Sequence, residues 1–115
     1  MMLVEKVKNM FSDIKSEKHA QEVLDAMDTC TSIAKTYYHY GDSNMDDAAE
    51  DILRGDWKCA YKSVLWLWWD CGGPQNQGTD EISWAANDLV REIEIIAKSC
   101  GFYDQQAHET APWCR

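Results

Sequence analysis

The chain has 115 residues, with 20 acidic against 11 basic side chains and a formal net charge of -9. This length fits one domain and is enough to bury a hydrophobic core. A bilayer span needs about 20 consecutive apolar residues, whereas the longest apolar run is Val64 to Trp69. The composition therefore excludes a membrane span. It also argues against direct binding to nucleic acid, which requires a basic surface.

The N-terminal sequence MMLVEKVKNMF has no apolar signal-peptide core and no small-residue cleavage site. We therefore expect a cytoplasmic protein, in which disulfides are rare. Cys100, His108 and Cys114 are too irregularly spaced for a structural zinc site, so we expect no metal and no cofactor. Cys30, Cys71 and the thiol at position 100 fit apolar helix faces as small core residues. The five cysteines are Cys30, Cys59, Cys71, Cys100 and Cys114.

Apolar residues recur at helical spacing in five segments. The first predicted helix covers residues 2–15. The second begins after Ser16, a suitable N-cap residue, and runs to about Tyr40, just before Gly41 at the position favoured by a C-terminal glycine. The apolar face of the first segment is formed by Leu3, Val7, Met10, Phe11 and Ile14.

The third predicted helix begins at Ser43 and ends at Gly55. Ser43, with Asp46 three residues later, resembles a capping box that uses Asp in place of Glu or Gln. The helical step of about 100° places four carboxylates opposite the apolar face of this helix. They form two pairs with four-residue spacing, and each pair repels by a few tenths of a kcal/mol. The four carboxylates are Asp46, Asp47, Glu50 and Asp51.

The fourth predicted helix runs from Trp57 to about Cys71, with Asp56 as its N-cap residue. Gly72-Gly73-Pro74 ends it. Thr79 is predicted to cap the fifth helix, Asp80 to Cys100.

Residues 102–115 show no helical period, and we expect the sequence Ala111-Pro112-Trp113 to be extended. Short connections between helices favour antiparallel neighbours. We therefore predict an all-α fold: a single compact bundle of about five helices over residues 1–101. An irregular C-terminal tail, residues 102–115, would pack on the bundle or contribute to an interface.

The negative charge is concentrated in two segments. Residues 42–56 hold six acids against Arg54, and residues 79–94 hold five acids against Arg91. One interpretation is an acidic ridge that imitates a row of phosphates and occupies a basic nucleic-acid-binding groove on another protein. The other is a solvated helix face that keeps a small protein soluble.

Six tryptophans are an unusually large share for this length. Trp66 and Trp69 lie away from the core face of the fourth predicted helix, and Trp84 lies away from the core face of the fifth. Either other parts of the chain, such as the tail, cover these rings, or they form an exposed patch. An exposed aromatic patch of this kind marks a protein interface.

The sequence contains no nucleophile, phosphate-binding or zinc-protease motif, and we expect no catalytic residues. A carboxylate-dependent metal phosphohydrolase remains an alternative. Asp47 and Glu50 make one D-x-x-E step, but Asp88 and Glu92, on another predicted helix, are four residues apart. This departs from the paired pattern of helical nucleotide pyrophosphatases.

The patterns together predict a small acidic binding protein that inhibits or modulates a protein partner with a basic surface. A phage or mobile-element inhibitor of host restriction or CRISPR proteins fits this character. Such a protein would act in the bacterial cytoplasm and would bind neither membrane nor nucleic acid directly. An immunity or antitoxin protein against a basic toxin and a self-associating assembly protein are alternatives. The candidate partner-binding residues are Asp46, Asp47, Glu50, Asp51, Asp80, Glu81, Trp66, Trp69 and Trp84.

Overall fold

A computed structural model describes residues 2–10, 14 and 16–114, without the side chains of residues 2–4. These residues form six α-helices and no strand, so the predicted all-α fold is confirmed. None of the described helices combines the length and the apolar character that crossing a membrane requires. The helices are α1 (Met2–Met10), α2 (Glu17–Tyr37), α3 (Ser43–Arg54), α4 (Trp57–Asp70), α5 (Glu81–Cys100) and α6 (Gln105–Glu109).

The four long helices α2 to α5 form the bundle. Helix α2 packs against α3 and α5, and α4 packs against the same two helices, so the four close into a ring. The short links between them bring successive helices together as antiparallel neighbours. Helix α1 packs against α2.

The interior of this ring is apolar. The described buried side chains are all hydrophobic, and none of them is polar or charged. Because the described charged side chains lie outside this core, the acidic residues can be distributed over the surface with little effect on packing. The largest fully buried side chains are Met45, Leu67, Leu89, Ile93, Ile96, Val23, Val64 and Cys30.

Helix α3 begins at Ser43 as predicted, but its cap differs from the prediction. Asp42 is the N-cap residue, and its carboxylate accepts a hydrogen bond from the Met45 backbone N–H at 2.9 Å. The prediction of a capping box between Ser43 and Asp46 is therefore wrong. Asp46 instead accepts from the backbone N–H of His39, in the link between α2 and α3.

The caps of α4 and α5 follow the same chemistry. Asp56 caps α4, which confirms the prediction. Helix α5 is capped by Asp80, whose carboxylate accepts from Ser83 N–H at 2.8 Å, and the prediction of Thr79 as the cap is wrong. Asp80 has the extended backbone that an N-cap position requires, so the helix itself begins one residue later.

The first predicted helix is described as α1 as far as Met10. Val7 and Ile14 are buried, as predicted. Met10 is 49% exposed, so its assignment to the apolar face is wrong. The predicted extension to residue 15 is wrong at Ile14, which is described and is not helical, whereas residues 11–13 and 15 are outside the described part. Two further predicted core residues also lie outside the described part, namely the side chain of Leu3 and all of Phe11.

The C-terminal segment is more regular than predicted. Asp104 caps α6 by accepting from the Ala107 N–H, and Ala107 is buried. Pro112–Cys114 forms a 3-10 turn, so the prediction of an extended Ala111-Pro112-Trp113 segment is wrong. An aspartate cap and a buried alanine are too short a pattern to show helical periodicity in the sequence.

Candidate functional site

Four carboxylates meet at one end of the bundle. Here the link after α2, the end of α4 and the start of α5 border an open groove of about 890 Å³. We call this the acidic groove. Its carboxylates come from both predicted acidic segments and from α4, so the antiparallel arrangement of the helices assembles it. They are Asp42, Asp70, Asp80 and Glu81.

Three of these carboxylates have local structural roles. Asp42 and Asp80 cap α3 and α5, and Glu81 lies in the first turn of α5. The positive end of a helix macrodipole favours negative charge at these positions. The Tyr40 hydroxyl donates a hydrogen bond to Glu81, and this bond raises the pKa of Tyr40.

Asp70 differs from the other three because it is the last residue of α4. A carboxylate at this end opposes the helix macrodipole. Within residues 2–10, 14 and 16–114, no lysine or arginine lies within 4.0 Å of any carboxylate in the acidic groove. The local physics of helix formation therefore does not account for Asp70, and the groove carries uncompensated negative charge.

Cys71 also lines the acidic groove. Partial burial is the main cause that raises the pKa of its thiol; a hydrogen bond with Ser83 acts in the opposite direction, and the nearby carboxylates raise the pKa further. A raised pKa keeps the thiol protonated at neutral pH, and only the thiolate is a strong nucleophile. The groove thus offers negative charge for binding rather than a nucleophile.

An amide network holds the loop that follows α4 in place. The Asn87 side-chain oxygen accepts from the indole N–H of Trp68 at 3.0 Å and from the Asn76 amide at 3.1 Å. The Asn87 amide in turn donates to the Asn76 backbone carbonyl at 3.0 Å. These bonds fix the loop against α4 and α5, and so position the start of α5 in the acidic groove. The Asn76–Asn87 pair was not predicted from the sequence, because an Asn on a half-buried helix face has no distinctive pattern.

The predicted ridge on α3 does not form one uniform surface. Asp46 accepts from the His39 backbone N–H at 2.7 Å, and His39 Nδ1 lies 3.9 Å from the same carboxylate. His39 has a φ of 63°, which is unusual for a residue other than glycine. Asp46 thus stabilises the strained link between α2 and α3.

Asp51 is even less available to a partner. Its side chain is 15% exposed, and it accepts a hydrogen bond from Ser63 Oγ at 2.6 Å. It also pairs with Arg54 on the next helical turn. The prediction that Asp51 forms part of an exposed ridge is wrong, because it joins α3 to α4.

Asp47 and Glu50 are the exposed members of the predicted set. Glu50 accepts a hydrogen bond from the Tyr38 hydroxyl at 3.3 Å. Asp47 lies beside Trp66 in a small pocket between α3 and α4. Asp47 is therefore the carboxylate of the predicted ridge that shares a recess with an aromatic ring.

Two of the three predicted tryptophans are exposed. Trp66 is 46% exposed and contacts the ring of Trp113 edge-to-face, with 5.8 Å between ring centroids. Trp84 is 50% exposed and lies beside Gly78, near the start of α5. Trp113, which the sequence analysis did not select, is 56% exposed.

Trp69 is covered by the C-terminal segment, which is the alternative that the sequence left open. Its indole N–H donates to the Ala107 carbonyl oxygen at 2.7 Å, and its ring packs against the core. Trp69 is thus a contact between the bundle and α6 in this structure.

The remaining described thiols and carboxylates do not come together in a metal site. Cys30 is buried, as predicted, and burial raises its pKa to about 12. Cys71 and Cys100 are only partly buried. Asp88, which the phosphohydrolase alternative requires, pairs with Arg91. Within the part of the chain that the structure describes, no group of three or more His, Cys, Asp or Glu side chains could hold a metal ion.

The surface thus combines an acidic groove, the carboxylates of α3 and three exposed tryptophans. It is suited to binding a cationic surface through charge and aromatic contact. No family model, curated protein or solved structure matches the chain.

Proposed function

We propose that this protein is a small acidic binding protein that docks on the basic surface of a protein partner and inhibits or modulates it. The partner is a nucleic-acid-binding defence protein, such as a restriction or CRISPR nuclease. The protein itself is a phage- or mobile-element-encoded inhibitor that acts in the bacterial cytoplasm. The observation that carries this proposal is the acidic groove, where Asp42, Asp70, Asp80 and Glu81 have no cationic partner among the described residues.

The carboxylates act as a group because their fields add. A concentration of one charge sign raises the rate at which an oppositely charged partner is encountered, and salt weakens this effect. A channel that binds nucleic acid carries the lysines and arginines that neutralise phosphates. Carboxylates held on rigid helix ends can lie where the phosphates of nucleic acid would lie in such a channel. A flexible acidic tail would have to lose conformational freedom to do the same. Occupation of the channel then excludes nucleic acid.

Exposed aromatic rings supply the second part of the interface. Trp66, Trp84 and Trp113 each expose about half of their side-chain surface. Tryptophan is enriched at binding hot spots because it buries a large area with few rotatable bonds. We expect the carboxylates to govern the association rate and the tryptophans to govern the dissociation rate.

The first experiment is a pull-down from bacterial lysate with the tagged protein, followed by mass spectrometry, with and without excess competitor DNA. The charge variant combines Asp42→Asn, Asp70→Asn, Asp80→Asn and Glu81→Gln. Asparagine is also a good N-cap residue, so these changes remove charge while α3 and α5 keep their caps. The matched control neutralises four exposed acids of α2 through Glu17→Gln, Glu22→Gln, Asp25→Asn and Asp28→Asn.

If the proposal is correct, the wild-type protein retains a nucleic-acid-binding protein, and excess DNA displaces it. The charge variant of the acidic groove, called the groove variant below, fails to retain this protein, whereas the α2 variant still retains it. Equal loss of the partner by both variants would show that only total charge matters, and retention by both would show that these carboxylates are not needed. Either result would reject the acidic groove as the site. A partner that DNA does not displace would reject the phosphate-mimic mechanism. A basic toxin in place of a nuclease would identify an immunity protein instead.

A further inference from the structure

A second recess lies between α3 and α4, apart from the acidic groove. It is an open pocket of about 280 Å³. Its lining combines an aromatic ring, a carboxylate, an amide, a hydroxyl and an ammonium group. The lining residues are Asn44, Asp47, Lys62, Ser63 and Trp66.

Most polar groups of this pocket can accept hydrogen bonds. The Ser63 hydroxyl donates its proton to Asp51 at 2.6 Å, so its oxygen retains lone pairs for another donor. Asp47 is exposed and has no cation within 4.0 Å among the described residues. The side-chain oxygen of Asn44 adds a further acceptor. The pocket therefore suits a ligand with several donors and a positive charge.

We propose that this pocket binds an arginine side chain of the protein partner. The proposal rests on the proposed function, because the arginine would belong to the same basic protein partner. A guanidinium group is planar, carries five N–H donors, stacks on aromatic faces and pairs with carboxylates through two bonds. Trp66 and Asp47 supply the ring and the carboxylate for these contacts.

The size of the pocket agrees with this ligand. At about 30 Å³ for each water-sized group, the pocket holds roughly nine such groups. An arginine side chain has fewer non-hydrogen atoms than that. The edge-to-face contact between Trp66 and Trp113, with an interplanar angle of 78°, restricts the Trp66 ring and so lowers the entropy cost of binding.

Lys62 also lines the pocket, and it competes with an incoming arginine for the same acceptors. It forms no ion pair with Asp47 within 4.0 Å in the described part of the chain. Its long flexible stem lets the ammonium group leave the pocket at little cost. Replacement of Lys62 by alanine should therefore increase the affinity for arginine.

The test compares two blocked peptides, hexa-arginine and hexa-lysine, by isothermal titration calorimetry at low salt. Both peptides carry the same charge, so a difference between them reports the guanidinium group. The wild-type protein should bind hexa-arginine about two- to five-fold more tightly than hexa-lysine, because a planar guanidinium adds stacking on Trp66 and two-bond pairing with Asp47 to the cation–π attraction that an ammonium group also has. Trp66→Ala should abolish this preference, because it weakens hexa-arginine binding more than hexa-lysine binding, whereas Lys62→Ala should increase the preference.

Two variants serve as controls. Trp84→Ala removes a similarly exposed ring outside the pocket and should keep the preference. Asp28→Asn removes one exposed charge elsewhere and should keep it too, whereas Asp47→Asn should reduce it. Circular dichroism verifies that each variant is folded.

Equal binding of both peptides by the wild-type protein, or a preference that survives Trp66→Ala, overturns the arginine pocket. In either case the proposed function is tested separately. If the groove variant loses the binding to hexa-lysine that the wild-type protein shows, the result still supports docking on a basic surface. Absence of binding to both peptides overturns the arginine pocket and also contradicts the proposed function.

Discussion

The indole N–H of Trp69 donates to the backbone carbonyl oxygen of Ala107 over 2.7 Å, and so connects α4 to α6. Tyr61, two turns earlier on α4, makes a second connection through the Asp104 backbone N–H at 3.1 Å. The C-terminal segment is therefore held to the bundle by directional bonds as well as by the burial of Ala107. Trp66 remains outside these contacts with α6, which explains why it is exposed while Trp69 is not.

The bond from Trp69 predicts a specific loss on substitution. Trp69→Phe keeps an aromatic ring but leaves the Ala107 carbonyl without its donor. We expect the free energy of unfolding to fall by about 1–3 kcal/mol, since a half-buried acceptor loses its partner and the site loses ring volume. Urea denaturation followed by circular dichroism measures this change. Trp84→Phe, at an exposed ring, is the control and should change stability by less than about 0.5 kcal/mol. Equal losses in both variants would contradict the role of the Trp69 bond.

We expect His108 to make the docking of α6 depend on pH. Burial lowers the pKa of His108 below its ordinary value of 6.5, although Glu94 and Asp104 act in the opposite direction and Lys98 adds to the lowering. The ring nitrogen Nε2 lies 2.7 Å from the Tyr61 hydroxyl. In the neutral tautomer that carries its proton on Nδ1, Nε2 accepts a hydrogen bond from this hydroxyl, whereas the Nε2–H of a protonated ring can only donate.

A lowered pKa in the folded state means that protonation favours the undocked or unfolded chain. The stabilising effect of His108 should be complete above pH 6.5 and should be lost as pH falls below 6.5 through the lowered pKa. We expect the unfolding free energy of wild-type protein to fall between about pH 8 and pH 5 by more than that of His108→Gln. Urea midpoints across this range measure the difference. His19→Gln should follow the wild type, and identical profiles for all three proteins would refute the assignment to His108.

Gly73 follows α4 with a φ of +59° and is buried against Trp69. An added Cβ would overlap the ring carbons of Trp69. Gly55 also has positive φ, at +79°, but nothing lies within 4 Å of an added Cβ there. Both substitutions by alanine strain the backbone, by about 1–2 kcal/mol. Gly73→Ala should cost about 1–3 kcal/mol more than Gly55→Ala because of the overlap. Thermal unfolding of the two variants compares them directly, and equal costs would contradict the packing of Trp69 on Gly73.

Asp70 should reduce stability where it stands. It opposes the macrodipole at the end of α4 and shares the acidic groove with three other carboxylates. Asp70→Asn is therefore expected to raise the unfolding free energy by about 0.3–1 kcal/mol. Asp28→Asn, at an exposed position in the middle of α2, is the control and should leave stability nearly unchanged. The gain should shrink in high salt, which screens exposed charges. A loss of stability on Asp70→Asn would mean that Asp70 has a structural partner and is not retained for binding.

The sequence predicted the helices well where one physical signal dominated. The apolar periodicity located α2 to α5, since a helix buries one face and the spacing of that face is fixed at 3.6 residues per turn. Gly55 and Gly101 marked the ends of α3 and α5 correctly because both adopt positive φ there. The prediction that α2 runs to about Tyr40 and ends at Gly41 is wrong, because α2 ends at Tyr37 with Tyr38 as its C-cap residue. Caps were less certain, since Thr79 and Asp80 are adjacent and either side chain has the chemistry of an N-cap residue.

The candidate site was predicted only in part. Asp80 and Glu81 do lie in the acidic groove, but Asp42 and Asp70 were not among the predicted residues. Asp42 is far from Asp80 and Glu81 in sequence, and only the antiparallel packing of the helices brings these three beside Asp70. Its position at the end of an apolar helix gave no signal beyond a single charge.

The sequence by itself determined the fold class, the composition of the core and the excess of negative charge, because each depends on residue type and periodicity. Tertiary structure alone decided which of these residues a partner can reach. Asp51 is tied to Ser63, and Trp69 is covered by Ala107, whereas Asp47 and Trp66 share one pocket. These outcomes depend on contacts between helices that are distant along the chain, and helical periodicity places a residue on a face without specifying what packs against it.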